Sequence, residues 1–321
     1  MSRRAFESVT EADLRRRFDD AEYVADDRTV TSVYLALTMG RPLLVEGPPG
    51  SGKTELGKVL ASAFDTDLIR LQCYEGLTAE NALYEWNYTK QLLAVQANEG
   101  SVVGDAPAEG QRDGDPRRDR SVFDEEYLLE RPLLRALTAD GEVPPVLLVD
   151  EIDRADEEFE AFLLELLSDF QVSIPEFGTV SADQPPVVVL TSNRTRGLSD
   201  ALKRRCLYLH VEPPSFEDEY EIVRRKVPEL DVAIAAEVCA VVDRLREEAF
   251  LKQPGVAETL DWARAVAQLR HDEDDGPLST DEIERTLGCL LKEAEDLDRV
   301  DTELLEQLQA AAAAADERLE A

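Results

Sequence analysis

The chain has little of what disulfide-built or metal-clustered proteins need. Four cysteines and two histidines occur among 321 residues. Cys73, Cys206, Cys239 and Cys289 lie far apart, no C-x-x-C occurs, and His210 and His271 stand alone. This argues against a disulfide framework or a zinc site and leaves reduced, buried thiols as the expectation. Aromatics are few, at 6%, and bases are outnumbered, 35 against 69 acids, for a net charge of −34. Neutralising nucleic-acid phosphates takes clustered Lys and Arg, so nucleic acid is not an expected partner. No stretch approaches the length of a membrane span, and the opening Met-Ser-Arg-Arg-Ala-Phe lacks an apolar signal core. A cytoplasmic protein with no membrane partner is expected.

What is present is a globular composition, 43% hydrophobic, in a chain long enough for two domains. Its clearest feature runs from Leu43 to Thr54. An apolar run ends at Glu46. Gly47-Pro48-Pro49-Gly50-Ser51-Gly52-Lys53-Thr54 follows and matches G-x-x-x-x-G-K-[ST] in full. Leu56, Val59, Leu60 and Ala63 then recur at helical spacing. Strand, glycine loop and helix form the context that makes this pattern a phosphate site. Loop N–H groups and the helix N-terminus point at a phosphate. Lys53 would reach the β- and γ-phosphates, and the Thr54 hydroxyl would ligate Mg²⁺.

Further runs predict an α/β protein with a parallel sheet. Leu68–Cys73 alternates as a strand. Pro145-Val-Leu-Leu-Val-Asp-Glu151 and Val187-Val-Val-Leu-Thr-Ser-Asn193 are apolar throughout and end in polar groups, as strands covered on both faces do. Leu207–Val211 is a last short strand, and Gln171–Val180 reads as a hairpin. Helices are expected over Phe6–Phe18, Val30–Leu37, Ala79–Ala94 (containing Trp86), Tyr127–Leu137 and Asp156–Phe170. Tyr23, Val24 and Ala25 either wall an adenine or pack before the first strand. Residues 100–120, rich in Gly, Pro and charge, read as a surface loop. Its Arg117-Arg118-Asp119-Arg120 is a solvated cluster or a partner contact. After Pro213-Pro214 only helical patterns remain: 222–227, 232–248, 256–269, 280–294 and 301–319. The expected division is 1–212 for the nucleotide-binding core and 213–321 for a smaller all-α lid.

Hydrolysis of a nucleoside triphosphate needs a phosphate cradle, Mg²⁺, a positioned water and charge stabilisation. Asp150 is placed to hold Mg²⁺ opposite Thr54. Glu151 can act as the base that polarises the attacking water. Asn193, ending a strand expected between those of the loop and of Asp150, can hydrogen-bond the water or the γ-phosphate.

Gly47–Thr54, Asp150-Glu151, Asn193 and an arginine pair, taken in order, resemble the AAA+ ATPases. Asp150-Glu151-Ile152-Asp153-Arg154-Ala155, the Ile174-Pro175-Glu176-Phe177-Gly178 hairpin, Ala201-Leu202-Lys203-Arg204-Arg205 and Cys73-Tyr74-Glu75-Gly76-Leu77 are similar to the MoxR family, most of all its CoxD/CbbQ/NorQ relatives. The resemblance implies a ring, usually a hexamer, with ATP and Mg²⁺ as cofactors. It implies an arginine finger reaching the neighbour's γ-phosphate, with Arg205 the first choice and Arg204 the second. It also implies remodelling of client proteins with a von Willebrand A-domain partner, in the maturation of metalloenzymes. The family carries a sensor arginine in its lid. Glu258 stands near that place here, and Arg264 is the possible substitute. A nucleic-acid or restriction-type NTPase motor is the alternative, and a nucleotide-controlled scaffold without turnover is a third reading. A motor would show a basic groove or a guanine-reading motif, and neither is found; an intact Glu151 argues against the scaffold. The acidic surface is either a partner-binding surface or an adaptation to high salt, where self-repulsion is screened. Scarce lysine, abundant Asp and few aromatics resemble haloarchaeal proteins and favour salt.

Overall fold

The computed structural model describes residues 6, 8–93, 127–175, 177–270, 276–315 and 318. The 100–120 segment, with its arginine cluster, lies outside the described residues, as do Glu176 and His271.

Two helices, α1 (Glu11–Asp20) and α2 (Asp27–Met39), precede β1 (Leu43–Glu46). Thr10 caps α1 in a reciprocal capping box with Asp13, which sets the helix start at Glu11, five residues after the expected Phe6. The loop Gly47–Gly52 joins β1 to α3 (Lys53–Ala63), and β2 (Leu68–Gln72) follows. β1, β2, β5 (Val146–Asp150), β8 (Val187–Ser192) and β9 (Leu207–His210) form one parallel sheet in the order β2-β5-β8-β1-β9. All residues of β1, β5 and β8 are buried, as continuous apolar runs require. Successive side chains point to opposite faces. Leu43, Val45, Leu148 and Val189 therefore pack with Val33, Leu56 and Leu60 on one side. Leu44, Leu147, Val149 and Leu190 pack on the other, with Phe159 and Leu163 of α6 (Glu157–Asp169).

The 79–94 stretch is not one helix. α4 (Ala79–Leu83) is a single turn, and Tyr84–Trp86 is a strand, β3, paired antiparallel with β4 (Leu128–Glu130). Tyr84 and Trp86 are buried while Glu85 between them is exposed, so the period there is two. Their rings meet edge to face at 5.9 Å. Helical backbone resumes over 88–93. Tyr127–Leu137 likewise splits into β4 and α5 (Pro132–Thr138). Pro132 opens the helix and holds Arg131 extended, φ −96° and ψ 171°. The expected hairpin is present as β6 (Gln171–Ile174) and β7 (Gly178–Ser181).

α7 (Asp200–Arg205) precedes β9, and beyond His210 the described residues contain no strand. α8 (Phe216–Lys226), α9 (Val232–Arg246), α10 (Val256–Leu269), α11 (Thr280–Thr286), α12 (Ala294–Leu297) and α13 (Thr302–Ala313) follow. The 280–294 pattern breaks after Thr286 into a 3₁₀ turn at Leu287–Cys289. These helices share an apolar cluster of their own around Trp262, whose indole N–H donates to Thr286 Oγ1 at 2.7 Å. Ala315 packs on Ala236 and Ala240 of α9, so the chain just past α13 is docked on this region. Among the described residues no helix is long and apolar enough to cross a membrane.

Candidate active site

The site forms where the C-terminal ends of β1, β5 and β8 meet, the position where parallel sheets present polar groups. β1 ends in buried Glu46, and Gly47 turns the chain toward α3. A Cβ on Gly47 would lie 2.1 Å from the Val211 carbonyl oxygen, so only glycine fits. Gly50 (φ 79°) and Gly52 (φ 80°) take left-handed backbone, which curls the loop. Lys53 opens α3 and reaches back under it. Its Nζ donates to the carbonyls of Gly47 (3.0 Å) and Pro48 (2.6 Å). Burial lowers the Lys53 pKa, against the opposing pull of Asp153, Asp150 and Glu151.

Asp150, ending β5, is the hub. The hydroxyls of Thr54 (2.9 Å) and Thr191 (2.6 Å) donate to its Oδ1, and Arg70 donates to its Oδ2. Thr191 Oγ1 in turn accepts the Glu151 backbone N–H at 2.9 Å, which ties β8 to the turn after β5. Glu151 itself has φ 55° and ψ 51°, left-handed backbone that is uncommon and costly for a non-glycine residue. That turn aims its carboxylate along the strand ends. Oε1 accepts from Asn193 Nδ2 at 3.2 Å and Oε2 from Gln72 Nε2 at 3.0 Å. β8 lies between β5 and β1, which puts Asn193, just past the end of β8, between the loop and Asp150.

Sequence reasoning about individual roles passes over several groups that complete this arrangement. Asp153 accepts from the backbone N–H of Asn193 (3.1 Å) and from the N–H and hydroxyl of Thr195 (2.9 and 2.6 Å). Burial raises its carboxyl pKa, but these hydrogen bonds win and hold it below the usual value. It thus fixes the backbone that carries Asn193. Glu46 accepts from Arg194 Nε and the Tyr208 hydroxyl, both at 3.0 Å, which pins the end of β1. Thr191, Arg70 and Gln72 complete the set. The only signal for them was their place at polar positions of β2 and β8. Cys73 beside the carboxylates is an inert thiol: burial, with the charges of Asp150, Asp153 and Glu151, pushes it up to about 12.

A cavity of about 850 Å³ opens over the loop, lined by Lys53, Thr54, Asp150, Glu151 and Asn193. Tyr23 and Val24 line it too, whereas Ala25 does not. From the helical side come Ile222, Leu260 and Arg264. Glu258 is not in this lining: its Oε2 accepts the Gly255 N–H at 3.1 Å and caps α10. α10 rests directly on the loop, with the Val256 N–H donating to the Gly50 carbonyl at 3.2 Å. Arg204 and Arg205 end α7 with exposed side chains, outside the cavity, and no ion pair among the described residues engages them. Arg41 holds the backbone carbonyls of Arg204 (2.6 Å) and Arg205 (3.1 Å). Among the described residues no group of three or more His, Cys, Asp or Glu could cage a metal. The Thr54–Asp150 pair is a hard-oxygen donor set suited to magnesium shared with phosphates.

A family model described as AAA domain (dynein-related subfamily) matches residues 42–206, from the start of β1 to the end of α7. The uncharacterized protein SH1500 of Staphylococcus haemolyticus (strain JCSC1435) is 25% identical over 256 residues, 77% of this chain and 84% of that protein. The uncharacterized protein YehL of Escherichia coli (strain K12) is 29% identical over 210 residues, 62% of this chain. The chain spans about half of YehL, with 49% of that relative covered. Among solved structures, the Thermotoga maritima RuvB Holliday junction branch migration motor is 18% identical, with a TM-score of 0.44 over 90% of this chain and 72% of that one. The FIGL-1 AAA domain in complex with ADP is 16% identical, with a TM-score of 0.40 over 86% and 78% of the two chains. At these scores the structural likenesses carry no argument about the site.

Proposed function

The chain belongs to the dynein-related subfamily of AAA domains, and from that premise we propose that it hydrolyses ATP with Mg²⁺. One observation carries the reading: a single hydrogen-bonded set, Thr54–Asp150–Thr191–Glu151–Asn193, borders the cavity over the glycine loop. In this reading Gly47, Pro48, Pro49, Gly50, Ser51, Gly52, Lys53 and Thr54 cradle the phosphates. Lys53 exchanges its loop carbonyls for phosphate oxygens. Thr54 and Asp150 would hold Mg²⁺, which would neutralise phosphate charge there. Glu151 accepts a proton from water as the water oxygen bonds to the γ-phosphorus and the bond to the bridging oxygen breaks. Asn193, held against Glu151, positions that water. Arg264, on the cavity wall with Lys226, is the candidate for the lid's sensor cation, Glu258 standing near the place where the family carries an arginine. Residues 1–212 act as the core and 213–321 as the lid.

The finer reading is a MoxR-like remodelling chaperone working as a hexameric ring, with a von Willebrand A-domain partner and a metalloenzyme client. The exposed Arg205, in no ion pair among the described residues, with Arg204 beside it, supports a finger directed at a neighbouring subunit, because within its own chain it is outside the cavity. The test is phosphate release from ATP in molar KCl with Mg²⁺. The wild type turns over, Lys53→Ala and Arg205→Ala alone do not, and mixing the two variants recovers part of the activity, because an intact site forms wherever a Lys53→Ala subunit offers its arginine to the cradle of an Arg205→Ala subunit. Mixed rings that assemble without recovery contradict the shared site. No phosphate release by the wild type contradicts the ATPase itself.

A further inference from the structure

Asp150 is buried, and the cation that touches it is Arg70, which the reading above leaves without a role. Arg70 and Gln72 lie on the exposed face of β2, beside β5, with Gln72 in register with Asp150. Arg70 Nε and Nη2 donate to Asp150 Oδ2 at 3.0 and 2.5 Å. Nη2 also donates to Gln72 Oε1 at 2.7 Å, and Gln72 Nε2 donates to Glu151 Oε2 at 3.0 Å. A continuous hydrogen-bonded path therefore leads from the metal-facing carboxylate to the proposed base through two β2 side chains.

The electrostatics of that path are asymmetric. Without a counter-charge, the Asp150 carboxylate would be an uncompensated buried ion, a costly arrangement. Lys53 acts on it only at a distance, since its ammonium bonds the loop carbonyls and not the carboxylate. Arg70 touches it, and its side chain is 49% exposed against 2% for Asp150, so it has solvent to move into. A divalent cation brought in with a nucleotide would place like charge against the guanidinium at contact distance.

We propose that Arg70 is a latch on the metal site: it neutralises Asp150 while the metal is away and is displaced from Oδ2 when a divalent cation arrives. Arg70 is thus a positioning residue. This inference rests on the ATPase reading of the same site.

The test is Mn²⁺ binding in the presence of saturating ADP, read by electron paramagnetic resonance. Arg70→Ala and the better space-filling Arg70→Gln should bind Mn²⁺ about three- to tenfold tighter than the wild type, the range for losing one partly exposed charged hydrogen bond as competitor. In an Asp150→Asn background the same substitutions should change nothing, since the competition is for that carboxylate. Unchanged or weaker Mn²⁺ affinity in both Arg70 variants overturns the latch. So does a gain that persists in Asp150→Asn, which would mark a distant charge effect. If the wild type binds no Mn²⁺ with ADP, the ATPase reading falls and the latch with it. Wild-type binding without the Arg70 effect removes the latch alone.

Discussion

Asp150 at the sheet edge and Glu219 in the helical region are equally hidden, at 2% and 1% exposure. They are also held by the same kinds of donor. Asp150 takes two threonine hydroxyls and an arginine. Glu219 takes the Thr259 hydroxyl at 2.7 Å and both arms of Arg246, at 2.5 and 2.8 Å. The difference is access. Asp150 lines the cavity and its arginine is half exposed, whereas Glu219 lies outside that lining and its arginine is 16% exposed. Glu219 joins α8, α9 and α10, and Asp150 joins α3, β2 and β8 around an opening. Burial and pairing alone therefore do not mark function; a buried charge becomes chemistry where a cavity lets something exchange its partners.

That contrast can be broken at either end. The largest effect is expected from Lys53→Ala, which should lose ATP binding in equilibrium dialysis while the fold persists, since the removed ammonium bonds only loop atoms. Undiminished ATP affinity would remove the cradle assignment. Glu219→Ala should do the opposite. Leaving Arg246 without its carboxylate should cost about 3 kcal/mol or more of stability, seen as a lowered thermal midpoint with ATP affinity of the folded protein retained. Equal losses of stability in Asp150→Ala and Glu219→Ala, with no difference in nucleotide affinity, would erase the distinction.

A smaller effect is expected at Glu282. Burial would raise its carboxyl pKa, but hydrogen bonds from Arg270 and Ser279 prevail and carry it from the usual 4.5 to about 2. A carboxyl lowered in the folded state gives stability that is complete above 4.5 and drains as pH falls toward 2. Thermal midpoints of the wild type should therefore fall more steeply across that window than those of Glu282→Gln. Parallel curves would show that the pair contributes nothing.

The same division explains what the chain discloses of itself. β1, β5 and β8 are legible because burial on both faces demands unbroken apolar runs, and their polar ends mark Glu46, Asp150 and Asn193. The glycine loop is legible because Gly47, Gly50 and Gly52 meet local demands of space and φ. Arg70 and Gln72 are not, because their partners arrive only through the register of β2 against β5, across 78 or more intervening residues. Trp86 was misplaced on a helix because a three-residue strand is too short for period two to show against its flanks. Glu258 stands near the place of the family's lid arginine, yet its spacing to Gly255 makes it a helix cap, a local use that wins over the distant one.

The central claim is that Glu151 drives turnover at this cavity without being needed to fill it. The direct measurement is ATP affinity and phosphate release on the same Glu151→Gln sample in molar KCl with Mg²⁺. The amide keeps the size and one acceptor but cannot take a proton. The account predicts ATP affinity close to wild type with release slowed at least about 100-fold, the scale of general-base catalysis. Release at the wild-type rate would contradict it.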